Sequence, residues 1–308
     1  MSCAALRLAR ALLLLALTAG ASAITVGWAV DPATGGYSLT VDSAPWYSSP
    51  SLAAAPPLLC VAGQLLPLSL AGPPAPATGT DEFGDWAGTA VTLRAAGAAT
   101  ATLVIHTFKA YAALPSVVVA TAAFPSGVDA AGGGGGSACN GTVRTAFPQF
   151  NTSAAMAPAL GVFSWRGEAL DRLPSAVGLG ALGQNTLDSG PVVSFFRGRP
   201  GVPHPALVWS TLSSHKIITQ ATTNGTYTMG LAAAVPTIPA GWEYSVVFSV
   251  ADGGPTAAVY AWGNALRGYF GTTRLPSVTL TDIGYFSDDG VRSLHPAKRK
   301  RLVSLGAF

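Results

Sequence analysis

The feature that most limits what this chain can become is how its apolar residues are parcelled between Ile24 and Val250. They come in short runs, each stopped by Gly, Pro, Asp or Asn, and several alternate with a period of two. Thr25–Val30 and Tyr37–Val41 read as strands joined through Asp31 to Gly36. Leu58–Leu70 gives one or two more, with a turn at Gly63-Gln64, and the Pro-rich stretch Gly72–Gly79 reads as loop. Thr89–Leu93 and Thr102–Phe108 form a hairpin pair, followed by Val117–Phe124. Gly161–Trp165, Pro191–Phe196, Ala206–Thr211, Thr226–Leu231 and Trp242–Val250 complete a series of roughly a dozen strands with almost no helix between them. That is more than an ordinary sandwich holds. The expectation is a mainly β protein built as a large two-sheet antiparallel sandwich, a supersandwich.

The period then changes. Between Pro255 and Phe270, Val259, Trp262, Leu266 and Tyr269 recur at the spacing of one helical face. Asp252 or Thr256 could cap that helix and Gly271 could end it. After a Pro-containing linker, Val278–Tyr285 reads as a short terminal strand running into Ser287-Asp288-Asp289-Gly290.

Composition narrows the partners. Only 10% of residues are charged, and the formal net charge is +3. Arg7, Arg10, Arg292, Lys298, Arg299, Lys300 and Arg301 all lie near the termini. Without them the body carries roughly −4, so a nucleic-acid surface is not expected. Residues 1–23 have a basic start, a leucine-rich run and Ala21-Ser22-Ala23, the three-part form of a secretory signal peptide. The run is too short to span a bilayer comfortably, so the expectation is a secreted chain with no stable membrane span after cleavage, the alternative being an uncleaved anchor. Three sequons follow, at Asn140, Asn151 and Asn224, and are expected to carry N-glycans. Cleavage would remove Cys3, leaving Cys60 and Cys139 as either one disulfide or two buried thiols. No Cys-x-x-Cys pair or His/Cys cluster is present, so no metal site is expected.

The remaining chemistry is sparse. The five glycines Gly132–Gly136 read as a flexible insertion, because no Lys-Ser/Thr follows at the spacing a phosphate loop needs. Asp81-Glu82-Phe83-Gly84-Asp85-Trp86 reads first as a solvated loop and second as a carbohydrate or calcium patch. A triad of Ser210, His215 and Asp188 can be assembled on paper, but no nucleophile-elbow motif supports it. Lys298–Arg301 reads as a basic disordered tail, and the seven tryptophans read as core.

Five segments carry a resemblance: Pro191-Val192-Val193-Ser194-Phe195-Phe196, Ala206–Ser210, Ile238–Val246, Tyr260–Leu266 and Ile283–Gly290. Together they resemble a group of secreted eukaryotic proteins similar to α-galactosidase and raffinose-synthase type glycosidases. The resemblance implies a β-supersandwich followed by a (β/α)-barrel that opens on a Gly-Tyr-Trp-Thr-Asp-Asn-Gly-like segment. Here Gly284, Tyr285, Asp288 and Gly290 match that segment, while Phe286, Ser287 and Asp289 depart from it. Tyr285, Asp288 and Asp289 are then implied as sugar contacts, whereas the residues by themselves read first as an ordinary Asp-Gly turn at a strand end. Neither aspartate is expected to be catalytic, since neighbours on a strand point to opposite faces and cannot form an acid/nucleophile pair.

The implied organisation is a signal peptide at 1–23, a supersandwich at 24–254, helix and linker at 255–277, the first strand of a truncated barrel at 278–290, and a tail at 291–308. The functional expectation is a non-catalytic N-terminal domain of a secreted glycosidase-like protein, with carbohydrate as partner, no catalytic residues and no cofactor. The alternative is a self-sufficient extracellular glycan-binding or structural glycoprotein module.

Overall fold

The computed structural model describes residues 24–53, 55–95, 103–129, 145–152, 160–164, 176–177, 190–196, 204–223, 225–231 and 235–273. Met1–Gly271 forms one compact unit and Thr272–Phe308 another. Beyond Thr273 the second lies outside the described residues, and with it the expected terminal strand.

The protein is mainly β, and every described strand pairing is antiparallel. β1 (Val26–Val30), β2 (Tyr37–Val41) and β3 (Ala44–Ser48) make a three-stranded sheet. An 11-stranded sheet takes β4 (Leu58–Val61), β5 (Gln64–Leu70), β6 (Ala75–Asp81), β7 (Gly84–Ala95), β8 (Leu103–Tyr111) and β9 (Val117–Phe124). It adds β12 (Leu160–Ser164), β13 (Ala176–Val177), β14 (Val192–Phe196), β15 (Ala206–Thr211) and β19 (Trp242–Ala251). Its order is β13-β12-β14-β15-β19-β9-β8-β7-β5-β4, with β6 also on β7. β11 (Gln149–Asn151), β17 (Thr226–Leu231) and β16 (Ile218–Thr223) form a second three-stranded sheet. β10 (Val128–Asp129) pairs with β18 (Thr237–Ile238).

The expected two layers are present, but the smaller layer is split into two three-stranded pieces. The main core lies between them and the large sheet. Tyr37, Leu39, Trp46 and Tyr47 from one piece, and Phe150, Tyr227 and Met229 from the other, join one buried cluster with Val118, Leu207, Trp209 and Phe248 of the large sheet. Aromatic rings carry the contact across the gap. Trp209 stacks on Phe248 with centroids 5.3 Å apart and meets Phe150 and Tyr227 edge-on at 5.5 and 5.3 Å. Trp28 reaches Phe108 and Phe248 at 5.1 Å.

The central strands are buried on both faces. On β19, Tyr244, Val246, Phe248 and Val250 point into the main core. The intervening Val247 joins a second cluster on the opposite face, with Val117 and Val119 of β9. On β15, Leu207 and Trp209 face the core, whereas Ala206 and Val208 face outward. The cover on that outer face is α1 (Gly254–Tyr269), which packs on β14, β15 and β19. Val259 and Trp262 cover one outer cluster, and Trp262, Leu266 and Tyr269 cover the other. The stripe expected from the helical period is thus the contact stripe.

The start of α1 differs from expectation. Neither Asp252 nor Thr256 caps it: the N-cap is Gly253, in the left-handed region at φ 98°, and no side chain bonds the first turn. A two-residue reversal from β19 into α1 requires that backbone, and glycine adopts it without steric cost. Gly271, at φ 59°, follows the C-cap Phe270 as expected.

Among the described residues no helix is long and apolar enough to cross a membrane. Trp209 is fully buried where three rings meet. Trp209→Ala is expected to destabilise the protein by about 3–5 kcal/mol, read as a lowered denaturant midpoint with retained strand content in far-UV circular dichroism.

Candidate functional site

The acidic and aromatic stretch at Asp81–Trp86 is the best-built polar cluster among the described residues. It forms the tip of the β6–β7 hairpin, a turn through Glu82-Phe83 closed by Gly84 at φ 107°. The Phe83 N–H donates to Asp81 Oδ1 at 3.0 Å, which fixes the turn. Asp81 Oδ2 receives the Lys109 ammonium at 3.1 Å and the Tyr111 hydroxyl at 2.8 Å, both from neighbouring β8. Thr80 Oγ1 donates to Asp85 Oδ1 at 2.6 Å. The Lys109 ammonium also sits 4.9 Å from the Trp86 ring centroid. Trp86 lies against its cross-strand partner Gly79, where a Cβ would come within 2.6 Å of the indole. Only glycine leaves room for the ring there.

The tip reaches the last turn of α1. Phe83 meets Tyr111 at 5.3 Å and Tyr269 at 4.9 Å. Burial pushes the Tyr269 hydroxyl up to about 12, and the nearby charge of Glu82, which accepts its hydrogen bond, adds to the shift. Burial raises Tyr111 too, helped by its bond to Asp81.

These contacts decide what the cluster can do. Asp81 is held by an ammonium, a phenol and a backbone amide, so it is not free as a general acid or base. The Trp86 indole, which the second reading, a carbohydrate patch, would use as a platform, is engaged by Lys109 and Gly79. No group of three or more His, Cys, Asp or Glu side chains capable of holding a metal occurs among the described residues. The stretch works as a clasp between a hairpin and a helix end. Sequence singled out its acidic half and missed Lys109, Tyr111 and Tyr269, which lie far along the chain. For Tyr269 a signal existed, its place on the helical stripe. For Lys109 there was none.

The two described members of the triad drawn from sequence each make other contacts. Ser210 Oγ accepts the Trp262 indole N–H at 3.0 Å and donates to the Thr211 carbonyl at 3.1 Å. His215 Nδ1 lies 2.7 Å from Thr211 Oγ1, and burial lowers its pKa. Asp188 lies outside the described residues.

The other expected residues divide in two. Asn151 ends β11, half-buried and opposite Thr226, with the Thr152 N–H on the Gly225 carbonyl at 2.8 Å. Cys60 is fully buried on β4 and disulfide-bonded. Tyr285, Asp288, Asp289, Asn140, Asn224 and Cys139 lie outside the described residues.

No family model matches the chain, and no curated protein matches it. It is similar to a solved structure described as "Crystal structure of beta-arabinopyranosidase". The identity is 12% and the TM-score 0.42, over 74% of this chain and 38% of that one. The chain spans well under half of that protein's length.

Two titrations test the electrostatics. A tyrosine raised from 10 to about 12 adds stability that is complete below pH 10 and is lost as pH climbs through 12. Glu82→Gln is expected to bring the Tyr269 transition back toward 10, read as phenolate absorbance against a Tyr269→Phe reference. On the acid side, His106 is buried in the sheet and stacked on Phe147 at 3.7 Å, and burial lowers its pKa from 6.5 to about 3. The unfolded chain takes up that proton first, so this contribution is present above pH 6.5 and fades as pH falls toward 3. His106→Phe is expected to shift the acid-unfolding midpoint to lower pH.

Proposed function

We propose that residues 24–254 are the non-catalytic β-supersandwich of a secreted glycosidase-like protein, and that they hydrolyse no glycoside by themselves. One observation carries this reading. The segments Val192–Phe196, Ala206–Thr211, Trp242–Ala251 and Gly254–Tyr269, which bear most of the resemblance, form a single packing unit: three strands with α1 laid across them. A likeness spread over separate stretches of sequence thus corresponds to one contiguous piece of structure.

Five carboxylates of the β body support the non-catalytic part. Asp31 caps its own turn through the Ala33 amide at 2.9 Å and the Thr34 hydroxyl. Asp42 takes the Thr25 amide at 2.9 Å and its hydroxyl at 3.2 Å. Asp81 and Asp85 hold the hairpin, and Glu82 holds Tyr269. Glycoside hydrolysis needs two carboxyl groups facing one bond about 5–9.5 Å apart, and these five are committed to local structure.

In this reading the chain enters the secretory route through residues 1–23, carries N-glycans at Asn140, Asn151 and Asn224, and has carbohydrate as its partner. Residues 255–277 serve as helix and linker, 278–290 as the opening strand of a barrel, and 291–308 as a tail. Tyr285, Asp288 and Asp289 would be the sugar contacts.

The test is direct. The secreted chain, purified and incubated with aryl α-galactosides and with raffinose-type oligosaccharides, is expected to release neither phenol nor galactose above a heat-treated control. Release that co-purifies with the chain and is abolished by substituting a carboxylate of the β body would overturn the reading.

A further inference from the structure

We propose that the open edge of β6 is an interaction surface, and that its occupant is the β6 strand of a second copy of this chain, paired antiparallel across a two-fold axis.

β7 is long enough to take two neighbours along one edge. β5 pairs with Leu93–Ala95 and β6 with Gly84–Ala90. The sheet continues past β5 to β4, but among the described residues no strand pairs with β6 on its far side. In an antiparallel ladder alternate residues exchange both backbone bonds with the partner strand. The two-residue turn at Glu82-Phe83 makes Asp81 and Gly84 such a pair, so Gly79, Ala77 and Ala75 also bond β7. Pro76, Thr78 and Thr80 turn their backbone groups the other way, and all three are exposed. Thr78 and Thr80 thus each present an N–H and a C=O, while Pro76 presents only a C=O. Edges are commonly blunted by a lysine, a proline, a bulge or a covering element. Of these β6 has only Pro76, near the end away from the turn, and its ladder to β7 runs without a register shift. The β4 end, by contrast, is met by β10, with the Ala62 N–H on the Asp129 carbonyl at 2.8 Å.

Charge and register point to a second copy. The one charge on β6, Asp81, is bound by the Lys109 ammonium at 3.1 Å. The matching partner is therefore an uncharged strand, and the chain carries one in β6 itself. With Gly79 of both copies at the two-fold axis, Thr78 of each faces Thr80 of the other. Every outward N–H of these threonines then meets an outward C=O, and their side chains form cross-strand pairs. Pro76, which cannot donate, falls opposite the turn of the other copy, beyond its strand. The two Asp81 carboxylates stand roughly 14 Å apart along the strand, farther than a Debye length at physiological salt. The edge is also held ready. The Asp81 and Asp85 bonds fasten the hairpin, so pairing orders little new backbone. The contact is symmetric and closes on itself. One strand pair is small, which places the dimer in the weak, concentration-dependent class. The pairing is independent of any glycosidase role.

The experiment uses the full secreted chain in analytical ultracentrifugation over a concentration series, with hydrogen exchange of β6 followed at both ends of the series. Mass is expected to rise from monomer toward dimer, and exchange at Thr78 and Thr80 to slow in step. Thr78→Pro removes one outward donor per copy and spares the ladder to β7. It is expected to raise the dimer Kd about tenfold or more and to leave the Tm of the dilute chain unchanged. Thr78→Lys charges the edge and is expected to weaken the dimer in the same direction. It decides the matter if the proline variant is not secreted. A mass that stays monomeric at every concentration overturns the proposal, including where β6 instead takes up an extended segment of another protein. A dimer whose Kd neither substitution changes overturns it too.

Discussion

Burial of the central strands on both faces is the constraint from which the rest of this structure follows. A strand whose residues point alternately into two dry layers cannot alternate apolar with polar. β9, β15 and β19 accordingly read as nearly continuous apolar or small runs, broken only by residues such as Thr121, Ser245 and Ser249. One face is covered by the two three-stranded sheets through the rings around Trp209. The other is covered by α1, which the chain can place there only by turning back sharply after β19 at Gly253. Sheet and helix therefore depend on each other. Without α1, Val193, Ala206, Val208 and Val247 would face solvent.

The same arrangement accounts for the fate of the polar side chains. Some on the helix-facing side of the sheet find partners there, Trp262 on Ser210 and Thr121 with Ser245 at 2.9 Å, whereas the buried Ser249 hydroxyl on the same side has none among the described residues. At the sheet margin the β6–β7 hairpin extends far enough to touch the end of α1, and its carboxylates are consumed in fastening it. A stretch that reads as reactive because acids and aromatics sit together turns out to be structural, because those groups satisfy one another. Charge and aromaticity in a loop describe what a site could be made of, whereas the partners determine whether anything remains available for a ligand.

Legibility followed the strength of local signals. The strands with strong apolar runs were readable, as was the helix, whose four stripe residues all face the sheet. Among the described strands of five or more residues, three were not. β3 was hidden because its turn, Asp42-Ser43, uses two non-glycine residues at φ 48° and 65°, without the Asn-Gly or Asp-Gly signal that usually marks such a hairpin. β6 was read as loop because Pro73 and Pro74 precede it and Pro76 and Gly79 fall within it. As a strand paired only with β7 it tolerates Pro76, and Gly79 is needed beneath Trp86. β16 was missed because Ile218–Thr223 is mostly polar and takes its order from pairing with β17.

What the sequence determined by itself was the class of architecture. The number and spacing of apolar runs demand sheets, and one shift of period demands one helix, since both patterns follow from local backbone geometry. The tertiary structure decided which strands become neighbours, that the smaller layer is split in two, and that the acidic hairpin is a clasp. Those outcomes depend on contacts between residues far apart in the chain, such as Asp81 with Lys109 or Trp209 with Phe248. Local spacing carries no information about them, because the energy that selects them arises only once both partners have left water together.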